Sequence, residues 1–273
     1  LVPSTAKKIK VISKTGTFLL RKLFYGMAEL RFLTLGTLFP FNPALFTLAD
    51  PEEQRVADFV LAASLAANDL KDIMMAWEAL ELLRPGIPSG ISVEGGQLGG
   101  LRVHVERLSV AVARESLALV RDNEKVCRSS YFQKLTSLMS VPGRIKWKRL
   151  INFACLDLGK TPIHVAMRYI RHSAVFHYDP TELATAFRKR FDGTASIPAK
   201  QPYISYGDVL MHTRYFYADA MAETLAASLD GMTKEQFWKA MRLIVRELAA
   251  TSYVLVNAFL RDRGQFLAKF APK

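Results

Sequence analysis

The chain has 273 residues, half of them hydrophobic, with 15 glycines and 2 cysteines. That length can bury a large core as one big domain or two small ones, and the composition is that of an ordinary globular protein, not a disulfide-stapled scaffold. Its 37 Lys+Arg against 25 Asp+Glu give a formal charge of +12 and a pI near 9.7, which favours anionic partners such as nucleic acid or a membrane surface and says nothing about fold.

Residues 1–49 read as a basic and apolar N-terminal extension. Lys7, Lys8, Lys10, Lys14, Arg21, Lys22 and Arg31 face Glu29 alone. No compact apolar core with a small-residue cleavage site follows the early lysines, so no cleavable signal peptide is expected. With Cys127 and Cys155 as the only thiols, a reducing cytoplasm is the expected location. Phe32 to Ala49 is uncharged and mostly apolar until Asp50, but Gly36, Pro40, Asn42 and Pro43 interrupt it. A buried loop or a pair of short helices is expected there, with a membrane surface as the weaker alternative.

Residues 50–273 read as one all-helical domain. Pro51 opens a helix with Glu52 and Glu53 in its first turn. Val56, Phe59, Val60, Ala63, Ala67, Leu70, Met74 and Trp77 then recur at steps of three and four, and the helix ends before Pro85-Gly86. Residues 85–100, rich in glycine and proline, are expected to form a loop, and a second long helix to run from about Leu101 to Arg121. The basic stretch to Leu158 predicts two shorter helices split by Pro142-Gly143. Thr161-Pro162 offers an N-cap and a first-turn proline for the next helix, and Asp179-Pro180-Thr181-Glu182 has capping-box spacing for another. Further helices are expected over Gly207 to Leu229 and Thr233 to Asp262, the latter with Thr233 and Gln236 as a second capping box. No alternating pattern is strong enough to build a sheet.

Chemistry concentrates in Met167 to Asp179, which holds Arg168, Tyr169, Arg171, His172, His177 and Tyr178. Histidine titrates near neutral pH and can exchange a proton; arginine can hold phosphate oxygens in a planar fork. Cleavage of RNA by its own 2′-hydroxyl needs those two functions and no metal. On an ideal helix Ile163, Met167, Ile170, Ala174 and His177 share an apolar stripe, with His164, Arg168, Arg171, Val175 and Tyr178 on the neighbouring face. The competing structural reading is a histidine hydrogen-bonded inside the bundle with Arg171 paired to a carboxylate. Arg171 and His177 would also differ by about 120° in direction on a regular helix. Their convergence requires the helix to fray near Phe176, or a second subunit to complete the site.

Arg171, five intervening residues and His177-Tyr178-Asp179 resemble the arginine-to-histidine motif of the HEPN superfamily of small helical proteins. Ala67 to Leu70, Arg107 to Leu119 and Arg214 to Asp219 are similar to segments of uncharacterised bacterial members, so the resemblance spans roughly residues 50–230. It implies an all-α helical bundle with a HEPN-like core, commonly a homodimer. It also implies a metal-independent endoribonuclease or an RNA- or nucleotide-binding protein, in a toxin or antiviral-defence role. Arg171 and His177 match the two motif positions and become the candidate catalytic pair. Arg168, His172, Tyr178 and Arg214 are candidate substrate contacts, and Asp69 a candidate carboxylate partner for Arg171. The polar residue that often follows the motif arginine is asparagine or aspartate; here it is His172. The rival readings are a non-catalytic helical interaction or structural protein and a peripheral membrane protein.

Other constellations carry less. The histidines lack the paired spacing of a metal site, so no metal and no cofactor is expected. Gly95-Gly96 and Gly99-Gly100 follow no strand and are expected to serve a flexible loop and not a phosphate cradle. Cys127 and Cys155 read as small buried thiols. Tyr203, Tyr206, Tyr215, Phe216 and Tyr217, interleaved with His212 and Arg214, could stack on bases, though core filling is the favoured reading.

Overall fold

A computed structural model describes residues 42–86, 92–156, 161–175, 179–191, 202–205, 213–227 and 232–264. It is an all-α helical bundle with nine α-helices among the described residues. They are α1 (Pro51–Leu83), α2 (Val93–Asp122), α3 (Glu124–Cys127), α4 (Ser130–Ser137), α5 (Val141–Ala154), α6 (Pro162–Ile170), α7 (Pro180–Phe191), α8 (Phe216–Ala227) and α9 (Lys234–Asp262). Most of the N-terminal extension, including Phe32 to Phe41, lies outside the described residues; a short 3-10 turn at Pro43–Phe46 leads into α1.

The helix starts follow local chemistry. Asp50 caps α1, its carboxylate accepting from the Glu52 and Glu53 amides at 2.8 and 2.9 Å, with Pro51 in the first turn where no amide is needed. Thr233 and Gln236 close the expected capping box on α9: the Gln236 amide donates to Thr233 Oγ1 at 3.2 Å, and the Thr233 amide to Gln236 Oε1 at 2.9 Å. Asp179 caps α7 through the Thr181 and Glu182 amides. Glu182 itself turns elsewhere, accepting from the Tyr169 hydroxyl at 2.6 Å.

Three expectations are corrected. The glycine-rich stretch is helix and not loop: Ser92 caps α2 by accepting from the Gly95 amide at 3.0 Å, and Gly96, Gly99 and Gly100 lie within the helix. The basic stretch folds into three helices, and Pro142-Gly143 sits in the first turn of α5, behind its Ser140 cap. Arg214 pairs with Ser205 in an isolated antiparallel bridge, so α8 starts at Phe216, well after Gly207.

The main core joins α1, α2, α4, α5, α6 and α9. Phe59 of α1, Phe132 of α4 and Trp147 of α5 meet edge to face at centroid distances of 5.6 to 6.3 Å. α9 is long and apolar enough to cross a membrane by length and composition. Its Phe237, Met241, Val245, Leu248 and Leu255 are nevertheless fully buried in the core shared with α1, its most extensive neighbour. Polar stitches lock the open end of this pair. The Ser130 hydroxyl and Tyr131 amide donate to Glu52, the Tyr131 hydroxyl donates to Asp262 at 2.8 Å, and Arg263 reaches Glu53 at 2.8 Å. α7 and α8 form a lesser lobe around Ala186 and Leu225, tied to the main core by Tyr169.

Two glycines explain how that lobe docks. A Cβ at Gly96 would sit 2.5 Å from the Phe216 ring, and one at Gly100 would overlap the Arg214–Asp219 ion pair, whereas Gly99 faces open space. Gly96→Ala is expected to destabilise by about 1–3 kcal/mol through overpacking, and Gly99→Ala to stabilise by about 1 kcal/mol through helix propensity. Urea unfolding of the two variants beside wild type checks this; similar midpoints for both would refute the close approach.

Candidate functional site

The site lies where α2 passes α6. Arg114 and Arg121 are seven residues apart on α2, two turns along one face and about 10.5 Å along the axis. Leu117 and Ala118 fall between them on the same side. From the other helix come Arg168 of α6 and Arg171, where regular α geometry stops. Arg171–Val175 is a π-helical turn, a form that recurs at functional sites. The helix therefore leaves α geometry at Arg171, earlier than the fraying near Phe176 that convergence with His177 called for.

Arg171 Nε lies 2.9 Å from Glu115 Oε1, and Arg121 Nε 2.8 Å from Asp122 Oδ1. Burial holds the half-buried Arg114 guanidinium below the usual arginine value; the charges of Arg171, Arg121 and Arg168 add to this and Glu115 opposes it. It stays protonated all the same. Three other arginines thus act on Arg114 across this seam, and Glu115 and Asp122 pair with two of them.

His164 is only 4% exposed. A carbonyl oxygen can only accept, so its Nε2, 3.2 Å from the Phe153 oxygen, is the donor. The ring stacks on Phe153 with centroids 4.5 Å apart and planes at 28°. Burial pushes the imidazole pKa down, against the Phe153 hydrogen bond, and the charges of Arg114 and Arg121 push the same way. His164, Arg114, Leu117, Ala118, Arg121 and Ala154 line a small pocket between α2, α5 and α6, with room for about one water.

The candidate residues named from sequence divide as follows. Arg171 and Arg168 join this cluster, with Arg168 exposed. His172 is exposed on the π turn. His177 and Tyr178 lie outside the described residues, as does His212. Asp69 is exposed on α1, and the carboxylate set against Arg171 is Glu115, because α2 and not α1 packs on the turn. Arg214 belongs to another place. It pairs with Asp219 at 2.8 and 3.2 Å beside Gly100, fifteen residues before Glu115 and so about 22 Å away along α2. There it neighbours His104, whose pKa is lowered by burial and by Arg107 and Arg214. Of the aromatic group, Phe216 seats against Gly96, Tyr217 meets Phe187 edge to face at 6.0 Å, and Tyr215 is about half exposed.

Sequence reasoning missed Arg114, Glu115, Arg121 and His164. A signal existed: Arg114 and Glu115 fall inside the Arg107 to Leu119 segment that carried part of the resemblance, and the seven-residue step to Arg121 marks a shared face. Among the described residues no group of three His, Cys, Asp or Glu side chains could hold a metal ion. Cys127 is buried, and burial pushes its thiol up to about 12, so it is not a nucleophile at neutral pH. Comparison with protein-family models, with curated proteins and with solved structures finds no match to this chain.

The His164 environment has a pH signature. A folded-state pKa below the ordinary 6.5 means the unfolded chain binds the proton more tightly. Stability is then lost as pH falls below about 6.5, at no more than about 1.4 kcal/mol per pH unit for this one group. His164→Gln is expected to flatten the wild-type loss of stability between about pH 6.5 and 5. Denaturant melts across that range test it, and parallel curves for the two proteins would show that His164 is not held neutral.

Proposed function

We propose that this protein binds RNA through the arginine seam of α2 and α6 and, in its more specific form, is a metal-independent endoribonuclease of HEPN type. The carrying observation is the gathering of Arg168 and Arg171 with Arg114 and Arg121, against Glu115 and Asp122 as the paired carboxylates. Such a band suits a phosphate backbone, whose binding is mainly electrostatic. In this reading Arg171 grips the scissile phosphate and His177 transfers the proton to or from the reacting oxygens. Arg168, His172 and Tyr178 contact the strand, in a homodimeric cytoplasmic protein. The Glu115 ion pair fixes the direction of the Arg171 guanidinium, as positioning of a phosphate clamp requires. A toxin or antiviral-defence role would follow from the same chemistry.

A second reading draws on the same ion pair. Arg171 and Glu115 can be a structural clasp between α2 and the π turn, in a non-catalytic interaction protein.

Two measurements separate the readings. Purified protein in excess chelator should cleave single-stranded RNA, and His177→Ala should abolish cleavage. RNA left intact over a wide protein range would defeat the enzyme. For binding, four phosphate contacts predict a log-affinity against log-salt slope of about −3 for a single strand. The exposed Arg168, changed to Ala, should make the slope shallower by about 0.7 without moving the melting temperature. A clasp protein would show no salt-dependent RNA affinity.

A further inference from the structure

Arg114 and Arg121 lie one step beyond the residues that the arginine-to-histidine motif accounts for, and their pocket has features that a merely solvated helix face lacks. The two arginines come from the same face of α2, two turns apart, and both line one small pocket. Between them at the pocket stand Leu117, which is buried in the core, and Ala118, whose small side chain leaves space beside it. α5 and α6 wall the far side with Ala154 and His164. The His164 donor is already committed to the Phe153 carbonyl, so the positive charge at the opening comes from the arginines. Arg114 has no ion pair or hydrogen bond among the described residues, and the Asp122 partner of Arg121 is 62% exposed, where such a pair counts for little. Arg114 is thus a half-buried cation acted on by three others, and the one carboxylate that acts on it, Glu115, is shared with Arg171.

We propose that this pocket is a binding site for one doubly charged phosphate group, gripped by Arg114 and Arg121 across the mouth. The pocket as it stands admits about one water-sized sphere. The phosphate therefore sits at the mouth above Ala118, its oxygens against the two guanidinium forks, because the pocket floor offers no free donor. A phosphate with three unesterified oxygens and close to two negative charges matches two arginines better than a singly charged diester does. Two sources supply that chemistry, the terminal phosphate of an RNA strand and inorganic phosphate. The first source rests on the RNA reading above, with the strand end anchored here and the chain running on towards Arg168 and Arg171. The second does not depend on it.

The test uses the full chain and inorganic phosphate, titrated calorimetrically at constant ionic strength with chloride as the control anion. Phosphate should bind and raise the melting temperature where chloride does not. Arg114→Met and Arg121→Met should each weaken phosphate binding about tenfold or more. Ala118→Leu keeps every charge, fills the pocket and should cause a comparable loss with an unchanged helical circular dichroism spectrum. That variant separates occupancy of the pocket from general electrostatics. A second arm compares one short RNA carrying a 5′-phosphate with the same RNA carrying a 5′-hydroxyl. Tighter binding of the phosphorylated strand, erased in Arg114→Met, identifies the RNA end as the ligand; equal binding of the two strands with phosphate still bound identifies the free anion. Phosphate binding without any RNA binding would keep the pocket and remove the nuclease reading. Phosphate binding no better than chloride, or undiminished by Ala118→Leu, overturns the pocket.

Discussion

α2 is packed along its whole length by other helices, and this constraint decides where charge can go in the molecule. Near its start, Gly96 and Gly100 remove side chains so that Phe216 and the Arg214–Asp219 pair can lie against the backbone. Further along, Val105, Val110, Ala113, Leu117 and Val120 turn into the main core against α1 and α9. A helix buried on that much of its circumference has only narrow polar flanks. Arg114, Glu115 and Arg121 occupy the flank that meets α6 and the π turn. The arginine cluster is thus a consequence of core packing as much as of net charge, since burial of the other faces of α2 leaves this strip for its polar residues.

The energetics of the strip leave it with unneutralised positive charge. Like charges brought together repel, and the carboxylates that answer them are weakly placed: Glu115 is 53% exposed and Asp122 62%. Exposed pairs of this kind contribute roughly 0–1 kcal/mol each. They orient guanidinium groups without neutralising the field. By contrast, the pairs at the far end of the bundle are woven into hydrogen-bond networks. Asp262 is shared by the Tyr131 hydroxyl and Lys134, and Glu53 is held by Arg263. One end of the protein spends its charges on tying α1, α4 and α9 together, and the seam between α2 and α6 leaves a positive excess.

What could be read in the sequence was whatever depends on neighbours a few residues away. The Asp50 and Thr233 caps, the apolar phase of α1 and the proline starts of α6 and α7 all involve partners within one or two turns, and the structure has them where the spacing puts them. What was misread depends on partners far along the chain. A run of glycines is a poor helix by propensity, and only the ring of Phe216 and the Arg214–Asp219 pair, more than a hundred residues later, make its missing side chains useful. Asp69 and Glu115 are both acidic residues on long amphipathic helices; which of them meets Arg171 is a matter of which helix packs on the π turn, and periodicity carries no such information. His164 was assigned to a polar face beside Arg168 by angle alone. Phe153, on α5, covers it and turns it into a buried ring.

The π turn is where these two kinds of information meet. Pro162 sets the start of α6 locally, although the Thr161 hydroxyl makes no capping hydrogen bond, and the helix's amphipathic phase buries Met167 and Ile170 as the sequence suggests. An α-helix continuing through Arg171 would keep that phase. An i→i+5 turn instead spends one extra residue per turn, and Arg171 opens it. Ser173, three residues after Ile170, is buried, and His172 on the opposite side is exposed, so the apolar phase of α6 carries into the turn. The placement of Arg171 is therefore set by core packing of α6, by the turn it opens and by the Glu115 ion pair that ties it to α2.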